Sequence, residues 1–251
     1  MSVIWFNSEP PKSKFAPNIK IPIYCHLTDT PNELNNRLRA QMLDFEQQIQ
    51  GEELVTDVPR NLKDPYSWTQ HWKQHSIFFD VPVEAGEHLQ RFPMTQELTT
   101  LYHIIRKNYL LFLKELNYPR AKVYIHGWTN VLRQGEFISL HSHSSDTHSY
   151  LSGTYYLTTN NTTLDLIDPT RLQHKERFTT KENLILMFPS YVAHESTVYE
   201  EADLRISIAF DICSAHSAES NMWRPHHLFD DPATMDGLDM YFKDRTLTNK
   251  Y

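Results

Sequence analysis

A chain of 251 residues with 40% hydrophobic and 12% aromatic side chains can bury one sizeable core, which excludes a sequence too polar to fold. Its net charge of -7 speaks against a broad cationic footprint for nucleic acid or for an anionic membrane surface. No apolar run reaches the roughly 18 residues of a membrane span, the first residues lack a signal-peptide core, and Cys25 and Cys213 are far apart, so a reduced, cytoplasmic protein is expected.

In chain order, residues 1–18 hold Pro10, Pro11 and Pro17 without periodicity and read as an N-terminal arm. "IKIPIYCHL" reads as a strand, with Pro22 pointing to a sheet edge. Thr30-Pro31-Asn32-Glu33 has the form of a capping box, and Leu34, Leu38, Met42, Phe45 and Ile49 form an amphipathic helical stripe that Gly51 ends. The polar stretch from Gly51 to Gln70 reads as a long loop. Within "SWTQHWKQHSIFFD", His71 and His75 have a helical spacing that suits a metal, but aromatic surface cover is the better reading. A second helix is predicted from about Thr95 to Asn117 along Leu98, Leu101, Ile105, Tyr109, Phe112 and Leu116, with Pro119 stopping it.

The character then changes. "AKVYIHGWTNVL", "EFISLHSH", "YLSGTYYLT", "TTLDLIDP", "ENLILMFPS" and "LRISIAFDIC" are short runs rich in β-branched and aromatic residues, separated by turns. Helices followed by many short strands give an α+β pattern whose strands form a sandwich or barrel. Residues 214–251, with "NMWRPHHLFDDP", read as a C-terminal tail. The adjacent His226 and His227 point to opposite sides of an extended chain and read as surface or lid residues.

The chemistry concentrates in "LHSHSSDTH" and "FPSYVAHESTVYEEADLRISIAF". His141 and His143 stand two apart, so at a strand end they share a face, and His194 offers a third imidazole from a distant strand. Three ligands on one side of a cation leave the other side open for substrate and oxygen, as an oxidising non-heme iron site requires. Arg205 and Ser207 alternate onto one face of "LRISIAF" and offer a fork and a hydroxyl to a carboxylate. The plain alternative is that Arg205 pairs with Glu200, Glu201 or Asp203, although an arginine with apolar flanks needs a buried partner to offset its desolvation.

In combination, "RQGEFISLHSHSSDTHSYLSGTYYL", "LMFPSYVAHEST" and "LRISIAF" resemble the 2-oxoglutarate/iron(II)-dependent oxygenases. The nearest branch has a His-x-His segment, a Ser-Gly-x-Tyr-Tyr strand and a Phe-Pro-Ser turn before the distal histidine. Similar small oxygenases are carried by cyanophages and marine bacteria, which would place a phage-encoded copy in the host cytoplasm. The resemblance covers roughly residues 120–212. It implies a double-stranded β-helix (jelly-roll, cupin-like) core in 120–213, supporting helices in 19–119, and one oxygenase domain over 19–213. It further implies an enzyme that couples oxidative decarboxylation of 2-oxoglutarate to hydroxylation of a small-molecule or peptide substrate by dioxygen. His141 matches the proximal iron ligand, His194 the distal one, Arg205 with Ser207 the clamp on the C5 carboxylate, and Tyr124 and Asn130 further co-substrate contacts.

One position departs from the family pattern. A carboxylate is usual two residues after the proximal histidine, and here that place is taken by His143. Either His143 is the third ligand of an all-histidine site, which the interval to Tyr156 favours, or the loop folds back so that Asp146 supplies a carboxylate. His148 then faces substrate or supports a ligand. The histidine also keeps a second class in view, a cupin-like three-histidine metal dioxygenase or isomerase without 2-oxoglutarate, and a third, a metal-free jelly-roll binding protein. Ser152-Gly153 reads as structural, and of Tyr155 and Tyr156 one belongs to the core and the other to a pocket. Trp128, residues 144–150 and the Trp68–His75 segment are the expected pocket lining. Substrate and oligomeric state stay open.

Overall fold

Each amphipathic helix here needs an apolar partner, and a broad antiparallel sheet provides it. The structure, a computed structural model, describes residues 2–7, 14–15, 19–50, 77–78, 94–143, 149–159, 161–214 and 227–233. In chain order the elements are β1 (Ser2–Asn7), β2 (Lys20–Leu27), α1 (Asn32–Gln50), α2 (Gln96–Leu116), β3 (Val123–Leu132), β4 (Ser149–Tyr156), β5 (Thr163–Ile167), β6 (Lys175–Thr179), β7 (Leu184–Pro189), β8 (His194–Ser196), β9 (Arg205–Ser214) and β10 (His227–Asp230). Seven strands form one sheet in the order β1-β2-β7-β4-β9-β3-β10, and three form a second in the order β6-β5-β8. All neighbours run antiparallel. The class is α+β, dominated by antiparallel sheet.

Period-two alternation gives the large sheet two apolar faces. Leu34, Leu38, Met42 and Phe45 of α1 and Leu98, Leu101, Ile105, Tyr109 and Phe112 of α2 pack with Ile206, Ile208, Phe210 and Ile212 of β9 and with Ile185 and Met187 of β7. On the other face Phe6, Ile21, Ile23, Tyr156, Leu186 and Phe188 meet Leu164 and Leu166 of β5 and Phe178 of β6. The two sheets therefore face each other across their own core, while the helices cover the outside of the larger one. Gly153 lets this packing close up, because a Cβ there would run into the Phe210 ring and the Leu186 carbonyl.

α2 carries the expected ends. Thr95 Oγ1 accepts from the Leu98 amide, and Asn117 takes the left-handed conformation (φ 54°) at the C-cap. Leu116, expected in the buried stripe, is only partly buried. At α1 the Thr30 hydroxyl lies 2.7 Å from Thr28 Oγ1 in place of the expected capping box.

Three expectations about the ends of the domain are corrected. The stretch read as an arm supplies β1, which pairs with β2 over its whole length and buries Phe6. β2 is accordingly an interior strand. Pro22 is tolerated because the pairing with β7 spans only Tyr24–Leu27. The stretch read as a tail supplies β10, which pairs with β3 and ends in Asp230. That carboxylate is fully buried and held by Arg106 at 2.6 Å and Arg120 at 2.9 Å. Cys25 and Cys213 form no disulfide. Among the described residues no helix is long and apolar enough to cross a membrane.

Candidate metal centre

Backbone pairing delivers the three histidines. His141 bridges His194 through two hydrogen bonds, His141 N to His194 O at 3.0 Å and His194 N to His141 O at 2.8 Å. The His143 amide donates to the Ser190 carbonyl at 3.0 Å, which ties the same loop to the Phe-Pro-Ser turn. The ring centroids of His141 and His194 stand 4.3 Å apart, and each lies 5.0 Å from that of His143. One ligand atom from each residue falls within a 4.8 Å cluster.

The hydrogen bonds fix which nitrogen faces inward. Nδ1 of His141 lies 2.7 Å from the Ser139 carbonyl, Nδ1 of His194 lies 3.1 Å from the Val192 carbonyl, and Nδ1 of His143 lies 2.6 Å from Asp211 Oδ1. Carbonyl and carboxylate oxygens only accept, so these contacts assign a proton to Nδ1 in all three rings, and in the neutral ring the lone pair is then on Nε2. Nε2 of His141 and Nε2 of His143 are then two lone pairs 3.1 Å apart. Two nitrogens bound to one cation at about 2.1 Å stand roughly 3.0–3.4 Å from each other, so a shared divalent ion resolves the repulsion. Burial, reinforced by the neighbouring His143 and His141, holds the His194 pKa well below its ordinary value and keeps it in the neutral, ligating form. Trp128 stands 5.4 Å from the His143 ring and Phe188 4.9 Å from the His194 ring, while His141 and His143 stay partly exposed.

Asp211 is the member that sequence reasoning missed. It lies on β9 in the alternation Arg205, Ser207, Ala209, Asp211, opposite His126 of β3 and Ser152 of β4. The available signal was an acidic residue continuing the Arg-x-Ser face inside an otherwise apolar run. Burial pushes its pKa up, but His143 and the Ser152 hydroxyl, which both hydrogen-bond to it, outweigh that and hold it below the ordinary carboxylate range.

Further along the same face Arg205 is 1% exposed, with Nε and Nη1 lacking any hydrogen-bond partner, and it forms no ion pair with Glu200, Glu201 or Asp203. Its guanidinium carbon sits 5.4 Å from the Tyr156 ring centroid, and burial lowers its pKa from the usual value. Tyr156 and Asn130 both pair with Ser207 across the strands, and Asn130 Oδ1 also lacks a donor. A buried cation, a hydroxyl and an unsatisfied amide thus gather on one sheet face. Tyr155, by contrast, turns to the helix side and donates to Asn183 Oδ1.

Not every expected contact is brought together. Tyr124 pairs with Cys213 and is half-buried, eight positions along β9 from Arg205, or about 26 Å at the rise of a strand. It belongs to the far side of the histidines and is withdrawn from the Arg205 group. Asp146, His148, Trp68, His71, His75 and His226 lie outside the described residues.

No protein-family model and no curated protein matches the chain. Among solved structures, AviO1 from Streptomyces viridochromogenes Tue57 aligns with 77% of this chain and 90% of its own, at 11% identity and a TM-score of 0.51. Its fold is similar to that of AviO1. Two further structures align at lower scores. A Pseudomonas putida prolyl-4-hydroxylase gives 13% identity, 76% and 87% coverage and a TM-score of 0.48. SnoK, a non-heme α-ketoglutarate-dependent carbocyclase from nogalamycin biosynthesis, gives 10% identity, 77% and 79% coverage and 0.49.

Proposed function

We propose that the chain is a non-heme iron dioxygenase that couples decarboxylation of 2-oxoglutarate to hydroxylation of a small-molecule or peptide substrate. The observation that carries this reading is the presence, in one domain, of three converging imidazoles and a buried guanidinium whose Nε and Nη1 have no acceptor. A metal-only protein has no use for such an arginine, and a metal-free one has no use for the converging imidazoles. The two facing sheets support a double-stranded β-helix core, and β1 and β10 support extending the domain beyond residues 19–213.

His141, His143 and His194 would hold iron(II) through Nε2, and neutral imidazoles suit that ion. Arg205, with Ser207 and Asn130, would take the distal carboxylate of 2-oxoglutarate. Iron with 2-oxoglutarate supplies the activation of dioxygen. The protein orients the ligands: backbone bridges fix His141 and His194, and the rings of Trp128 and Phe188 pack beside His143 and His194. The two unbridged cysteines support a reducing, cytoplasmic setting.

Anaerobic addition of iron(II) and 2-oxoglutarate is expected to give a metal-to-ligand charge-transfer band, and admission of air is expected to release succinate. Absence of both would reject the reading. Iron binding without the band or succinate would favour the second reading, a three-histidine dioxygenase or isomerase that does not use 2-oxoglutarate. The all-histidine set among the described residues is the observation in its favour.

A further inference from the structure

A facial centre with one carboxylate ligand carries an anion on the metal, whereas three imidazole ligands bring no charge to it. We infer that Asp211 is a positioning residue that restores this anion one bond further out, holding His143 with Nε2 inward and placing a carboxylate behind the ligand. The inference rests on the reading that the three histidines hold a divalent cation.

Three observations support it. First, the contact from His143 Nδ1 to Asp211 Oδ1 is 2.6 Å, within the range of a short charge-assisted hydrogen bond. A histidine ligand whose other nitrogen donates to a carboxylate is fixed in tautomer and ring orientation and is more basic toward the metal. Second, the carboxylate is itself held. Ser152 Oγ donates to the same Oδ1 at 2.6 Å and lies 3.0 Å from Ser190 Oγ, and the Ser190 carbonyl accepts from the His143 amide. The loop runs from the imidazole through the carboxylate and two serines back to the histidine's own backbone. Third, Asp211 stands where a charge is costly. It sits on β9, between β3 and β4 in the middle of the large sheet, where it pairs with His143 while His126 of β3 stands directly opposite. A carboxylate in such a place costs free energy unless its partner requires it.

The test is metal binding without oxygen or 2-oxoglutarate. Wild-type protein and the variants Asp211→Asn and Ser152→Ala are titrated anaerobically with cobalt(II), followed by calorimetry and by the visible ligand-field bands, after apo melting curves verify folding. Asp211→Asn keeps the shape and removes the charge. It is expected to weaken cobalt(II) binding by about 10- to 100-fold and to shift the bands, while Ser152→Ala gives a smaller loss in the same direction. A merely structural role would not move the spectrum of a variant that melts like wild type. Unchanged affinity and bands in a folded Asp211→Asn overturn the inference and leave the histidine site standing. Should that variant not fold, an unchanged Ser152→Ala overturns it instead. A wild-type protein that takes up no cobalt(II) overturns the metal reading and the inference together.

Discussion

Arg205 brings a charge into a space where two of its nitrogens find no acceptor. Removing one partner of a desolvated charge pair costs about 2–5 kcal/mol, or roughly 30- to several-thousand-fold in affinity. Arg205→Ala is therefore expected to raise the 2-oxoglutarate requirement at least tenfold, measured as the concentration giving half-maximal succinate release. The same residue should act oppositely on the protein alone. With no co-substrate bound, the buried guanidinium is a liability, and an apolar group of similar volume relieves its desolvation. Arg205→Met is expected to melt at the wild-type temperature or higher without 2-oxoglutarate, and a large drop in melting temperature would show that Arg205 is a structural core residue. The shared strand face of Arg205 and Ser207 was legible because side chains two residues apart on a strand point the same way. Asp211 was not, since its partner lies 68 positions away and nothing local links them. Tyr124 shares a face with Asn130, but spacing alone did not say how far along the strand a co-substrate reaches.

At the scale of elements, β10 depends on charge as much as on sheet pairing. Asp230 meets Arg106 and Arg120, Arg106 Nε donates to the Phe229 carbonyl at 3.1 Å, and the Tyr102 hydroxyl donates to the Leu228 carbonyl at 2.7 Å. α2 thereby grips a strand that is short and adds the edge to β3. Asp230→Ala leaves Arg106 as a cation without its counter-ion in the core, and breaking such a pair costs about 3–5 kcal/mol. The expected result is an unfolding free energy, from urea titration, lowered by that amount, and a change within experimental scatter would mean that the arginines find other acceptors. Helix periodicity made α1 and α2 legible from Leu34 to Phe45 and from Leu98 to Phe112. β1 and β10 were missed for a different reason. Short strands carry little periodic signal, and prolines or charges beside them read as loop until the partner strand is known.

For the whole molecule, the pairing of β2 with β7 and of β3 with β9 joins segments far apart in sequence, so composition could indicate α+β class but not sheet order. Those long-range contacts also place buried carboxylates under strain from acid. Asp168, just past β5, is fully buried. Burial works against its charge, but the Thr170 amide and hydroxyl, His174 and Arg171 pull its pKa down to about 2. Asp165 is likewise held below its ordinary value, first by its hydrogen bonds to Arg177. Their folded-state values lie below those of the unfolded chain, where an aspartate titrates near 3.9. The stabilisation is thus complete above about pH 4 and is lost as the pH falls from there through the folded value. For Asp168 a shift of nearly two units corresponds to on the order of 2 kcal/mol. Asp168→Asn is expected to lower the unfolding free energy from urea titration at pH 7 by about that much and to flatten its decline between pH 4 and pH 2. Parallel curves for variant and wild type across that window would show that the turn holding Asp168 keeps its carboxylate no more strongly than the unfolded chain does.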